Sequence, residues 1–230
     1  MADTYAVNRE QIVQQHAALG AARAHSDART VDGWSYRYGK RLVDLIGALI
    51  GSVAMLALTP IIGLIIKLDS CGPIFFRQIR PGRGRKLFIL YKFRTMCDGA
   101  ERLLPALERD PSQVLIDIKD DERVTRVGRL LRRTSLDELP QFINVLGGSM
   151  SLVGPRPFKR AMSCTDPLSL RRFEVKPGIT GPWQINGRKN SSFDKAVAMD
   201  LEYIDRWSLR LDLKILAGTL RAVIAARGAR

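Results

Sequence analysis

From Leu45 to Ile66 run 22 residues without a charged side chain. About 20 such residues suffice to cross the hydrocarbon of a bilayer, although the buried core helix of a soluble protein passes the same length test. Two features argue against a straight span. Pro60 sits two-thirds of the way along, where its missing N–H kinks or breaks a helix. The flanks are basic on both sides, with Arg37, Lys40 and Arg41 before and Lys67, Arg77, Arg80, Arg83, Arg85 and Lys86 after. Basic flanks are retained on the cytoplasmic side. A straight span satisfies only one of them, whereas a helix broken at Thr59-Pro60 that enters and leaves by the same face satisfies both.

The rest of the chain is basic. The formal charge is +14, and residues 1–40 hold five of the 37 Lys/Arg and four of the 23 Asp/Glu, so the excess belongs to the body. Such a body calls for an anionic partner: nucleic acid, a phosphate-rich metabolite or an acidic lipid surface. Cys71, Cys97 and Cys164 are odd in number and far apart, which fits a reducing compartment and no disulfide framework. Both histidines, His16 and His25, lie in the polar N-terminal extension. If that extension is an appendage, the body runs no Ser-His-Asp triad or Cys-His dyad. Neither a G-x-x-x-x-G-K-[ST] loop nor a G-x-G-x-x-G fingerprint is present. The chemistry falls to carboxylates, with Arg/Lys and a hard metal ion as aids.

Along the chain, residues 1–40 read as a loosely helical extension, and no signal peptide is visible. A turn and short strand are expected at Gly72–Gln78 and another strand at Phe88–Phe93. Helical periodicity covers 99–108 and 123–133, with Val127, Leu130 and Leu131 as the apolar stripe of the second. A further helix is expected over Ser135–Leu146, ended by Gly147-Gly148. Prolines and glycines make 154–188 read as largely loop. At the end, Leu209, Leu213, Leu216, Leu220 and Val223 recur at helical spacing, suited to a core or to a membrane surface.

Between Arg123 and Arg160 there are eight Arg/Lys and two acids, the adjacent Asp137 and Glu138. One reading is structural: Ser135 caps a helix, Glu138 completes a capping box and Asp137 complements the dipole. The other is chemical: a carboxylate pair at a helix N-terminus, ringed by cations, can hold a metal–diphosphate substrate.

The ordered blocks Lys92-Phe93-Arg94-Thr95-Met96, Arg132 to Gln141, Met150 to Pro157, Lys176 to Gly181, Asn186-Gly187-Arg188 and Tyr203 to Leu209 resemble the bacterial sugar transferase family of monotopic polyprenyl-phosphate phosphoglycosyl transferases. Each block alone is weak; the ordered set, over about residues 37–225, is specific. The resemblance implies transfer of a sugar-1-phosphate from a UDP-sugar to undecaprenyl phosphate with release of UMP. The product would open exopolysaccharide, capsule, O-antigen or glycan synthesis. It implies Asp137 as the nucleophile of a covalent phosphosugar intermediate and Glu138 as the Mg²⁺ ligand. Arg132 and Arg156 become phosphate clamps, Lys92 and Arg94 further phosphate-binding candidates, and Arg188 a nucleotide contact. Ser149 stands where the family leads one to expect an acid.

The fold class this implies is α+β and mostly helical. A polar extension (1–36) precedes a re-entrant membrane helix (37–68) broken at Thr59-Pro60. A small cytoplasmic catalytic domain (69–230) with amphipathic surface helices forms one functional unit with that helix. The expected site of action is the cytoplasmic face of a bacterial inner membrane, with membrane lipids as partners and a homodimer as one option for assembly. A membrane-tethered nucleic-acid-binding module would interleave stacking aromatics with its basic residues; between Arg123 and Arg160 only Phe142 and Phe158 are aromatic, so no nucleic-acid partner is expected. A non-catalytic scaffold is the third reading, opposed by the intact Asp137-Glu138 and Arg156.

Overall fold

The computed structural model describes residues 33–100, 121–158, 166–186 and 193–224. Its longest element is α1, Arg41–Asp69, which continues a π-helical segment over Ser35–Lys40. The chain stays helical through Pro60, so the break expected at Thr59-Pro60 does not end the helix. Pro60 leaves one carbonyl without its N–H, and Thr59 Oγ1 adds a bond to the Met55 carbonyl, 2.7 Å away, one residue earlier.

Apolar side chains surround α1, yet one stripe of it is covered. Asp44, Ala48, Gly51, Met55, Ile62 and Ile66 are buried, while Leu49, Ile50, Val53, Leu56, Ile61 and Leu64 are exposed. Leaving such side chains in water costs about 1.5–3 kcal/mol each. A soluble-core helix buries most of its surface; in α1 only 28% of the most apolar stretch is buried. By length and composition α1 is able to enter or cross a membrane, and the soluble-core alternative does not fit it.

The covered stripe touches the rest of the chain from end to end. Buried Lys40 donates to the Val153 carbonyl (2.9 Å) and to Asp212 (2.7 Å), whose carboxylate also accepts from Tyr203 and Trp207. Asp44 accepts from Ser151 Oγ and Leu152 N. Met55, Ile62 and Ile66 pack with Phe93 and Leu131. At the far end, Asp69 accepts from Val127 N at 2.9 Å.

Strands β1 (Phe75–Pro81) and β2 (Leu87–Phe93) form an antiparallel hairpin, where both strands were expected. Phe76 pairs with Lys92 and Arg80 with Phe88, so these four share one face with Gln78 and Leu90. After α2 (Arg126–Thr134), the helix α3 (Gln141–Leu146) lies against β2 through Asn144, which bonds Ile89 O and Tyr91 N. Strand β3 (Ser151–Val153) pairs in parallel with β4 (Gly178–Thr180). The chain beyond β3 lies so close to β4 that a Cβ on Gly178 would sit 2.1 Å from Gly154 N; only glycine permits that approach.

The stretch 154–188 is more ordered than its composition suggested. Its described part contains α4 (Pro167–Leu170), a 3-10 turn at Arg171–Glu174, β4 and α5 (Pro182–Asn186). Pro167 and Pro182 begin helices rather than break them, and Asp166 caps α4 through Ser169 N. Helices α6 (Phe193–Asp205) and α7 (Leu209–Ile224) complete the fold. In α7 the fully buried positions are Asp212 and Ile215, whereas Leu213, Leu220 and Val223 are exposed. The helical expectation over 99–108 lies, from 101 onward, outside the described residues, as does the extension up to residue 32.

Candidate active site

Helix α2 starts at Thr125, whose Oγ1 accepts from Gly128 N at 2.9 Å, and it stops at Ser135, which adopts a left-handed conformation (φ 57°). A single 3-10 turn, Leu136–Glu138, follows, and α3 begins only after Pro140. This corrects the expected helix over Ser135–Leu146. Ser135 makes no side-chain cap and Glu138 closes no capping box: a residue with positive φ ends the preceding helix instead of opening the next.

The tight turn puts both carboxylates under the hairpin. Asp137 is buried, with Oδ2 3.7 Å from Lys92 Nζ. Glu138 Oε1 accepts from Lys92 Nζ at 3.1 Å and from Arg156 Nη2 at 2.8 Å. Lys92 arrives from β2. Arg156 arrives from the loop after β3, and its carbonyl is held by Arg172 Nη2 at 2.7 Å. Arg172 in turn pairs with fully buried Asp200 and lies over the rings of Phe158 and Phe193.

The two neighbours are electrostatically unlike. Burial raises the pKa of Asp137, and Lys92 only partly offsets it. Burial acts on Glu138 in the same sense, but Arg156 and Lys92 outweigh it and hold the carboxyl well below the usual carboxylate range. The Arg156 guanidinium is pushed up, chiefly by Glu138. Adjacent acids driven apart in this way are a mark of divided roles. Glu138 is engaged by two cations, whereas Asp137 makes one longer contact, 3.7 Å from Lys92.

Among the expected site residues, Lys92, Asp137, Glu138 and Arg156 converge. Arg132, exposed on α2, donates through Nε to Thr95 Oγ1 at 2.9 Å and lies within electrostatic range of Asp137. Arg94 is not brought there. It is buried, with Nη1 donating to Cys71 O and Nη2 to Ser70 O (2.7 Å) and Ser70 Oγ (3.0 Å), so it ties the C-terminal end of α1. Strand alternation would keep Lys92 and its second neighbour Arg94 on one face; the division arises because β2 ends at Phe93, and Arg94 beyond it is held by Ser70 at the end of α1. Arg188 lies outside the described residues. Reasoning from sequence missed Arg172 and Asp200; an acid within the buried stripe of α6, between Val197 and Leu201, was the available signal.

For a hard cation, the chain offers two adjacent carboxylates and, among the described residues, no cluster of three His, Cys, Asp or Glu. One or two carboxylates completed by substrate phosphate and water is the usual donor set for Mg²⁺. The residues fit such an ion, in competition with Lys92 and Arg156 for Glu138.

A family profile described as bacterial sugar transferase matches residues 35–226. The chain is 45% identical over 194 residues to the uncharacterized sugar transferase EpsL of Bacillus subtilis, covering 82% of this chain and 89% of that protein. It is 41% identical over 200 residues to the UDP-glucose:undecaprenyl-phosphate glucose-1-phosphate transferase of Xanthomonas campestris, covering 83% of this chain and 40% of the relative. With the UDP-N-acetylgalactosamine-undecaprenyl-phosphate N-acetylgalactosaminephosphotransferase of Aeromonas hydrophila, identity is 38% over 202 residues, covering 85% and 46%. The chain thus spans nearly all of the first relative and less than half of the other two.

Proposed function

The chain belongs to the bacterial sugar transferase family, and from that premise we propose that it transfers a sugar-1-phosphate from a UDP-sugar to undecaprenyl phosphate in two displacements. In the first, a carboxylate oxygen of Asp137 attacks the phosphorus that bears the sugar. The bond from that phosphorus to the bridging oxygen breaks, and UMP leaves with the electron pair. In the second, an oxygen of the lipid phosphate attacks the same phosphorus and returns Asp137 as a free carboxylate. Splitting one displacement into two lets each acceptor meet an activated phosphoryl group.

The observation that carries this reading is the asymmetry of the carboxylate pair. Arg156 and Lys92 bind Glu138 at 2.8 and 3.1 Å, while Asp137 stands 3.7 Å from Lys92. Lys92, Arg156 and Arg132 then surround the place where diphosphate charge must be neutralised. Bound at Glu138, Mg²⁺ would supply further neutralisation of the diphosphate and of the leaving UMP. The uncovered apolar face of α1 supports a membrane location for the lipid acceptor. We take α1, helical throughout but bent at Pro60 where one carbonyl loses its N–H, to enter the bilayer and return to the cytoplasmic face of the inner membrane, because both of its ends bind the same body.

The test is purified protein with undecaprenyl phosphate and a panel of UDP-sugars, read as UMP release. With the preferred donor alone, intact mass should rise by one hexose phosphate. Asp137→Asn should give neither turnover nor adduct while keeping the wild-type thermal midpoint. An adduct on that variant, or turnover near wild type, removes Asp137 from the role.

A further inference from the structure

Arg80 lies at the end of the hairpin face that carries Lys92. Its side chain is half-buried, and Nη2 donates to Gln78 Oε1 two residues earlier on the same face. The buried Nε has no hydrogen-bond partner among the described residues. Burial, and then the charge of neighbouring Arg156, push the Arg80 pKa down to about 10. The residues after it, Pro81 and Gly82, line a small recess together with Arg156, Pro157 and Arg172.

Charge around this recess, which Arg80 adjoins through Pro81 and does not itself line, is out of balance. Arg156 is paired with Glu138 and Arg172 with Asp200. For Arg80 the described residues supply an amide oxygen and no carboxylate. A half-buried guanidinium within electrostatic range of a second one is unfavourable until an anion joins them. A planar fork with an unused Nε is suited to two oxygens of a phosphate.

We propose that Arg80 and Arg156 together hold a phosphate group of a substrate beside the Asp137-Glu138 pair, with Gln78 fixing the orientation of Arg80. This assignment rests on the function proposed above. A nucleotide phosphate and a lipid phosphate present the same oxygens, and the experiment separates them.

Full-length Arg80→Gln and Arg80→Lys are compared with wild type in detergent micelles. The readouts are the KM for UDP-sugar, the KM for undecaprenyl phosphate, the Kd of UMP by calorimetry, and the donor-derived mass adduct at saturating UDP-sugar. Loss of a charged hydrogen-bond donor to phosphate should raise one KM by roughly 10–100-fold, with kcat changed far less and the adduct still formed. A matching loss of UMP affinity identifies the nucleotide phosphate; a raised lipid KM with unchanged UMP affinity identifies the lipid. Arg80→Lys keeps the charge but loses the fork, so it should show a smaller loss in the same parameter. Unchanged KM values and unchanged UMP affinity overturn the proposal, as does a fall in kcat alone. If Arg80→Gln fails to fold, the lysine variant decides. If wild type forms no adduct and releases no UMP, the reading of function fails, and the UMP affinities still judge Arg80.

Discussion

Glu138 separates the structural from the chemical reading of the carboxylate pair. In a capping box, Gln would replace Glu with little loss. Here the side chain makes no such bond; its Oε1 joins Lys92 to Arg156. Glu138→Gln should therefore leave two half-buried cations short of a counter-charge and weaken any cation held there. Chelator should abolish wild-type turnover and Mg²⁺ restore it, and the Gln variant should need at least tenfold more Mg²⁺ for half-maximal rate, a loss of about 1.4 kcal/mol. Near-normal activity at ordinary Mg²⁺ would move the ligand elsewhere. Asp200, behind Arg156, gives a prediction for stability. Burial pushes its carboxyl from 3.8 up to about 6, against the pull of Arg172. Between those values the unfolded chain has released the proton and the folded chain has not, so stability falls as pH rises and is level above 6. A difference of about two pH units is worth about 3 kcal/mol. Asp200→Asn removes this titration. Wild-type stability relative to that variant should decline from pH 4 to 6.5 in denaturant melts; a rise would mean that pairing with Arg172 governs instead.

Elements followed the sequence where periodicity alone decided them. The hairpin and α2 lie where expected, because alternation and an amphipathic stripe are local signals. The turn at Ser135 was hidden, since a left-handed serine has no composition of its own and Ser-x-x-Glu imitates a cap. Pro167 and Pro182 looked like breakers because their position at a helix start depends on neighbours such as Asp166. In the site, Asp137, Glu138, Lys92 and Arg156 were legible through their motifs. Arg80, Arg172 and the Lys40–Asp212 pair were not, because each is defined by a partner distant in sequence or by the lack of one. The contact between α1 and α3 also rests on such a distant fit. A Cβ on Gly51 would lie 2.5 Å from three atoms of the Phe142 ring, whereas one on Gly218 of α7 would meet Ile185 at an ordinary 3.5 Å. Gly51→Ala should thus cost about 1–3 kcal/mol by overpacking. Gly218→Ala should be neutral or add up to about 1 kcal/mol through helix propensity. Thermal midpoints of the two variants in one detergent test the contrast, and equal midpoints would show that α1 is not held closely against α3.

At the scale of the molecule, the question is how a 29-residue helix with an uncovered apolar face can keep both of its ends on one body. Lys40 is locked to Asp212 and Val153 at the start, and Asp69 to Val127 at the finish, with Arg94 holding the adjoining Ser70. Between them, Ala48 belongs to the main core and Met55, Ile62 and Ile66 to the core formed with Phe93 and Leu131. A straight span would carry one end across the bilayer and tear away one of these sets, exposing either a buried ion pair or an apolar cluster. The basic flanks point the same way, since moving either across the membrane opposes their retention on the cytoplasmic side. Both ends of α1 should therefore face the cytoplasm. Cys71 is exposed just beyond α1 and serves as one native probe; Tyr38→Cys, at an exposed position before α1, supplies the other. Each is kept as the sole cysteine and treated with a membrane-impermeant maleimide in intact cells and in lysate. Both should label only after lysis. Labelling of either one in intact cells would mean that α1 crosses, and would require the contacts at that end to be broken in the membrane.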